Sequence, residues 1–163
     1  MTERPTLELD QFWMRRAIDL SRLCPPADGA FSVGAIVVGP DGGELVSGFS
    51  RETDPHVHAE EAALSKAEAS GVDLSGATIY SSLEPCSQRR SRPRTCTQLI
   101  LEARIPRVAI AWREPSLLVA DCVGVELLTD AGVMVVELPD LTAEARAVNA
   151  HLFNTEKELG DHR

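Results

Sequence analysis

The 163-residue chain predicts an α/β fold, a three-layer α/β/α sandwich around a mixed five-stranded sheet. Two observations carry that expectation. Short β-branched runs alternate with longer segments of helical spacing, the pattern of strands joined by helices, which covers a sheet on both faces. One pair of runs is separated by only a glycine-rich turn, which places an antiparallel hairpin in the sheet.

The elements follow in order. From Leu9 to Leu23, apolar Phe12, Trp13, Ala17, Ile18 and Leu20 recur at helical spacing. Cys24-Pro25-Pro26 ends that helix, because a residue before proline is driven out of the α region. Ser32–Val38 reads as a strand, Asp41-Gly42-Gly43 as a turn and Glu44–Ser50 as the hairpin partner. Ser50–Pro55 is a loop, and His58–Ser70 is a helix rich in Ala, Glu, Leu and Lys. Ala77–Ser82 is a buried strand. Pro85 follows it and suits a first helical turn, so Cys86 is expected to open a helix. Thr95–Ala103 is a helix and Val108–Trp112 a fourth strand. Val123–Ala131 is a helix closed by Gly132, and Val133–Val136 is the fifth strand. Thr142 starts a last helix that runs towards Glu158. No repeat, low-complexity tract or linker interrupts the pattern, so a single domain over residues 1–163 is expected.

Composition narrows the function classes. A hydrophobic content of 44% with 25% charged residues is that of an ordinary globular domain. No apolar run reaches the ~18 residues of a membrane span, and the first ten residues, MTERPTLELD, lack the apolar stretch of a signal peptide. Four cysteines do not suggest a disulfide scaffold. Cys24 and Cys122 are expected as reduced thiols, and the chain in the cytoplasm. A net charge of −9 with a pI near 4.9 argues against long DNA or RNA as a partner.

The chemistry is concentrated in His58-Ala59-Glu60, Pro85-Cys86 and Cys96. One imidazole and two thiols suit zinc. Three protein ligands leave a fourth position open, which marks a catalytic rather than a structural zinc. Glu60, two residues after His58, can sit beside the metal without ligating it. Each fragment alone is weak, because buried thiols are common core residues. Their expected place at helix starts adds weight, since free N–H groups and the helix dipole favour thiolate there.

His-x-Glu followed by Pro-Cys and a later Cys resembles the zinc-deaminase signature, with nine residues between Cys86 and Cys96 where the common form has two. The chain resembles the cytidine-deaminase superfamily, and within it the deaminase domain of the bifunctional riboflavin-biosynthesis deaminase/reductase. The matching pieces are Val33-Gly34-Ala35, His58-Ala59-Glu60 with Ala63-Leu64, and Leu83-Glu84-Pro85-Cys86-Ser87. Further on come Pro115, Leu118-Val119-Ala120, Gly124, Ala131-Gly132, Glu144-Ala145, Val148-Asn149 and Phe153. The resemblance covers residues 11 to 153, with no counterpart of the reductase half. It implies a Zn2+ cofactor on His58, Cys86 and Cys96, a small-molecule aminopyrimidine or nucleotide substrate, and a homodimer. Hydrolysis would replace a ring amine by a carbonyl, with Glu60 handing a proton from water to the ring nitrogen and then delivering a proton to departing ammonia.

The substrate side is expected at Ser32, His56, Ala59, Arg92 and Arg94. His56 is read as a substrate-side group or as a rival of His58 for the metal. Two segments depart from the riboflavin branch: Ala30 stands where that branch has asparagine, and the loop Gln88–Thr95 carries Arg89, Arg90, Arg92 and Arg94. Those arginines either clamp the phosphate of a phosphoribosyl substrate through bidentate forks or form a solvated basic loop. The riboflavin-pathway diaminohydroxyphosphoribosylaminopyrimidine is the leading substrate. Another free base, nucleoside or nucleotide, of cytosine or aminopurine type, is the alternative. A zinc-stabilised binding module is the non-enzymatic reading, and Glu60 speaks against it.

Overall fold

A computed structural model describes residues 6–115 and 122–153. Its centre is β1 (Gly34–Val38), buried at all five positions. Both long edges of β1 are paired antiparallel, one with β2 (Glu44–Phe49) and the other with β3 (Thr78–Ser81). β3, β4 (Arg107–Ile110) and β5 (Met134–Glu137) run parallel, so the mixed five-stranded sheet has the order β2-β1-β3-β4-β5. The hairpin closes at Gly42, whose φ of 87° only glycine adopts freely.

Helices cover both faces. α1 (Leu7–Ser21) starts at Thr6, whose hydroxyl accepts the Leu9 amide. It lies against Gly34 so closely that a Cβ there would fall 1.9 Å from the Ala17 carbonyl oxygen. α2 (Ala59–Ser70) lies against Gly48, where a Cβ would fall 2.6 Å from the Ala59 oxygen. Gly48 pairs with Ala35, the neighbour of Gly34, so the two helices occupy opposite faces. α3 (Cys96–Glu102) packs on α2, and α4 (Gly124–Asp130) packs on α3. α5 (Thr142–Ala147) follows a 3-10 turn at Pro139–Leu141 that touches α1.

Two sequence expectations are corrected. Residues 85–95 form no helix; Cys86 sits in an irregular loop, and it is Cys96 that opens a helix. The last helix breaks at a turn over Val148-Asn149 and resumes at residue 150. Its expected course beyond Phe153 lies outside the described residues, as do Leu118-Val119-Ala120.

Candidate metal centre and active site

Three elements converge. His58 is the N-cap of α2, held extended at φ −90° and ψ 160°. Glu61, at the third helical position, accepts the His58 amide at 3.2 Å and fixes where the helix begins. The loop after β3 delivers Cys86. Thr97 anchors it, donating its amide (3.2 Å) and hydroxyl (2.8 Å) to the Cys86 carbonyl. Cys96 is set by the capping box of α3, in which Thr95 accepts the Gln98 amide and Gln98 accepts that of Thr95.

The result is a compact N/S/S triad. His58 Nδ1 lies 3.6 Å from Cys86 Sγ and 3.5 Å from Cys96 Sγ, and all three atoms fall within 4.8 Å of one another. A tetrahedral zinc with ordinary Zn–N and Zn–S bonds separates such atoms by roughly 3.6 Å. The donor set and its spacing therefore fit zinc. The electrostatics agree. A hydrogen bond with Cys96, reinforced by the Cys96 amide (3.2 Å) and by His58, lowers the Cys86 thiol to about 4. The same bond, with complete burial, pushes Cys96 up. Burial works against the charged form of His58, but the bond to Cys86 and that thiolate's charge outweigh it and raise the imidazole. Of the two sulfurs, Cys86 is the one whose surroundings favour the thiolate. A divalent cation would favour deprotonation of both.

Glu60 is 3% exposed and hydrogen-bonded to the Ser81 hydroxyl, which is also 2.7 Å from the Leu83 carbonyl. It faces a cavity of about 230 Å³ whose wall also includes His58, Ala59 and Cys86. His56 lines the cavity too; among the described residues, the metal-ligating group is His58, Cys86 and Cys96, and His56 is not in it.

Ser32, Arg92 and Arg94 are not among the residues that line this cavity. Ser32 accepts Arg51 Nη2 at 2.7 Å. Arg92 bonds Asp54 (2.5 Å) and Glu61 (3.2 Å), and Arg94 bonds Glu102 (2.5 Å). Arg89, its side chain 2% exposed, bonds Glu61 at 2.8 Å and the His56 carbonyl. The arginine that lines the cavity is Arg51.

Sequence reasoning missed Arg51, Glu84 and Glu114. Glu84 accepts the amides of Glu114 (3.0 Å) and Val125 (2.9 Å), joining the loop after β4 to α4. Glu114 lines the cavity, and burial pushes its carboxyl up to about 7, with the charges of Cys86, Glu60 and Glu84 adding to the effect. The dipeptides Glu84-Pro85 and Glu114-Pro115 were the available signal.

Residues 7–112 match the model of the cytidine and deoxycytidylate deaminase zinc-binding region. A diaminohydroxyphosphoribosylamino-pyrimidine deaminase of Schizosaccharomyces pombe is 41% identical over 128 residues, 77% of this chain and 31% of that one. A riboflavin biosynthesis protein RibD of Aquifex aeolicus is 34% identical over 150 residues, 90% of this chain and 39% of that one. The chain thus spans about a third of the length of these curated relatives. In structure it is similar to a Thermotoga maritima diaminohydroxyphosphoribosylaminopyrimidine deaminase/5-amino-6-(5-phosphoribosylamino)uracil reductase, with TM-score 0.71 and 34% identity over 86% of this chain and 39% of that one. An Aspergillus oryzae Rib2 deaminase, a C-terminal deletion mutant, gives TM-score 0.77 and 26% identity over 93% of this chain and 96% of that one. Because the matched span runs from α1 through β4 and takes in His58, Glu60, Cys86 and Cys96, the chain belongs to the cytidine and deoxycytidylate deaminase family through its zinc-binding region.

Proposed function

We propose that the chain is a zinc-dependent hydrolytic deaminase of an aminopyrimidine nucleotide, with the riboflavin-pathway diaminohydroxyphosphoribosylaminopyrimidine as substrate. The observation that carries this reading is a buried carboxylate, Glu60, placed in the same cavity wall as a triad whose spacing fits zinc. His58, Cys86 and Cys96 would hold the metal, which when bound would supply Lewis-acid activation of water. Glu60 would take a proton from that water and deliver it to the ring nitrogen beside the reacting carbon; as the C–N bond breaks, the proton of the newly added hydroxyl would pass through Glu60 to the leaving amine, which departs as ammonia and leaves a ring carbonyl. Ala59 and His56, which line the cavity, would border the ring.

The test is ammonia release from aminopyrimidines by the zinc-loaded protein. Glu60→Gln should lose turnover by roughly a hundredfold or more while keeping full zinc. Wild-type turnover in that variant would remove Glu60 from the mechanism.

A specific observation favours a second reading, in which the substrate is an unphosphorylated base or nucleoside. Arg89, Arg92 and Arg94 each already bond a carboxylate, so a phosphate would have to displace Glu61, Asp54 or Glu102. Assaying each ring with and without its ribose phosphate separates the two. A tenfold or greater preference for the nucleotide supports the loop arginines as phosphate ligands, because a charge-assisted contact contributes about 1.5–3 kcal/mol. Equal efficiency assigns them to scaffolding.

The proposed assembly is a homodimer acting in the cytoplasm. Support comes from α1, which leaves Leu7, Leu9 and Phe12 half or more exposed, and from the frequency of two-fold closure. No helix of the described residues is long and apolar enough to cross a membrane. Light scattering should give twice the 17.6 kDa chain mass; a mass near one chain at working concentration would count against the dimer.

A further inference from the structure

Part of the cavity wall is built from a segment that belongs to no strand or helix. Gly29, Ala30, Phe31 and Val33 all line the cavity, yet the chain from residue 24 to 33 has no regular structure. Its backbone groups are satisfied from elsewhere. The Asn149 amide, 1% exposed, grips both sides of Ser32: its Oδ1 accepts the Ser32 N–H at 2.7 Å, and its Nδ2 donates to the Ser32 carbonyl at 3.1 Å. Arg51 holds the same segment from the other side. Its Nε and Nη2 donate to the Pro25 carbonyl (3.0 and 2.9 Å), Nη1 to the Phe31 carbonyl (3.1 Å), and Nη2 to Ser32 Oγ (2.7 Å).

Two further details mark this as a built arrangement. Arg51 sits at φ 60°, a region that a side-chain-bearing residue enters at a cost, and from there its guanidinium makes four hydrogen bonds to the segment. The C-terminal stretch also supports the wall through rings. Phe31 meets Trp112 edge-on at 5.5 Å, and Trp112 packs on Phe153 at 5.9 Å. Asn149 and Phe153 lie beyond residue 112, where the match to the family's zinc-binding region ends.

We infer that Asn149 and Arg51 are positioning residues that clamp segment 25–33 into a preformed substrate wall, and so set substrate affinity without touching the metal site. A wall that is ordered before binding leaves less ordering entropy to be lost when substrate arrives. Releasing it should weaken ground-state and transition-state binding alike, which raises KM and spares kcat. Asn149→Asp is the sharp variant: it keeps the shape, but one oxygen then faces the Ser32 carbonyl where a donor stood.

The turnover part of the inference rests on the deaminase reading above, so the experiment has an arm that does not. Amide hydrogen exchange of the zinc-loaded protein should show the Ser32 amide exchanging at least tenfold faster in Asn149→Ala than in wild type, with α2 amides unchanged. In the second arm, Asn149→Asp and Arg51→Lys should each raise KM tenfold or more at full zinc occupancy, with kcat within threefold. Combined, Asn149→Asp and Arg51→Lys should raise KM by less than the product of the single effects, because both act on one segment. Unaltered exchange at Ser32 would overturn the clamp. Faster exchange with unchanged KM, or loss of kcat in step with loss of zinc, would overturn its role in affinity. If wild type releases no ammonia from any aminopyrimidine, the deaminase reading fails and the exchange arm alone decides the clamp.

Discussion

Burial sets the proton affinity of Glu114, and that makes the cavity a source of pH dependence. The carboxyl rises from 4.5 to about 7, with burial the leading cause. Between those values the folded chain keeps a proton that the unfolded chain releases. Stability from this group therefore falls as pH rises through the window, by an amount on the order of 2 kcal/mol. Glu114→Gln carries no such proton and should flatten the decline. Urea midpoints at about pH 5 and about pH 7 test this: the stability of wild type relative to Glu114→Gln should fall between the lower and the higher value. An unchanged slope in Glu114→Gln would place the titration elsewhere. Cys122 offers a contrast within the same pocket of chain. Burial pushes its thiol up to about 12, so it is a poor nucleophile and needs no catalytic role.

At the scale of elements, the loop between the two cysteines is held by acids. Arg89 reaches under it to Glu61 and to the His56 carbonyl, and Arg92 reaches Asp54 and Glu61. Glu61 also caps α2 through the His58 amide, so one carboxylate ties the loop to the metal-binding helix start. Burial opposes its charge, but the Arg89 bond, the His58 amide and the charges of Arg89 and Arg92 together outweigh that and lower its pKa below 4.5. This stabilisation is therefore present above pH 4.5 and is lost as pH falls through the lower folded value. Arg89→Ala should cost about 3 kcal/mol in urea unfolding, because it leaves a partly buried carboxylate short of its partner. It should also weaken zinc by roughly tenfold or more, since groups that orient a ligand act on metal affinity. Unchanged zinc affinity would uncouple loop from centre. The sequence made the loop's charge visible but not its partners, because Glu61 and Arg89 meet only in three dimensions. Pro85 misled for a related reason: it suits a first helical turn, but here it directs a loop. The true helix start was legible in Thr95-x-x-Gln98, a capping box. The break at Asn149 had no local signal, since that side chain is committed to Ser32, 117 residues away.

At the scale of the molecule, the number of strands was legible because each is short and bounded by turn residues. The strand order was not. Nothing local tells β1 to sit between β2 and β3, and that choice brings the C-terminal end of β3 beside the N-termini of α2 and α3. The zinc motif was legible, since its residue types are rare in combination. What fixes α1 to the sheet was hidden. Asp10 on α1 is buried, accepts Tyr80 Oη from β3 at 2.6 Å, and forms a two-pronged pair with Arg107 of β4 at 2.9 and 2.7 Å. Periodicity would assign a buried position of α1 to an apolar residue, and Asp10 defies it. This network spans three elements in low dielectric, so removing its only carboxylate strands a guanidinium and a phenol together. Asp10→Ala should cost about 3–5 kcal/mol of unfolding free energy. Replacing both charges, Asp10→Leu with Arg107→Met, should recover much of that loss, because the orphaned charge disappears with its partner. Zinc content should stay full in both, since the pair lies at α1 and the metal ligands come from α2, the loop after β3, and α3. Equal cost in the single and double variants would mean that the ion pair itself, rather than the penalty of an unpaired charge, stabilises the fold.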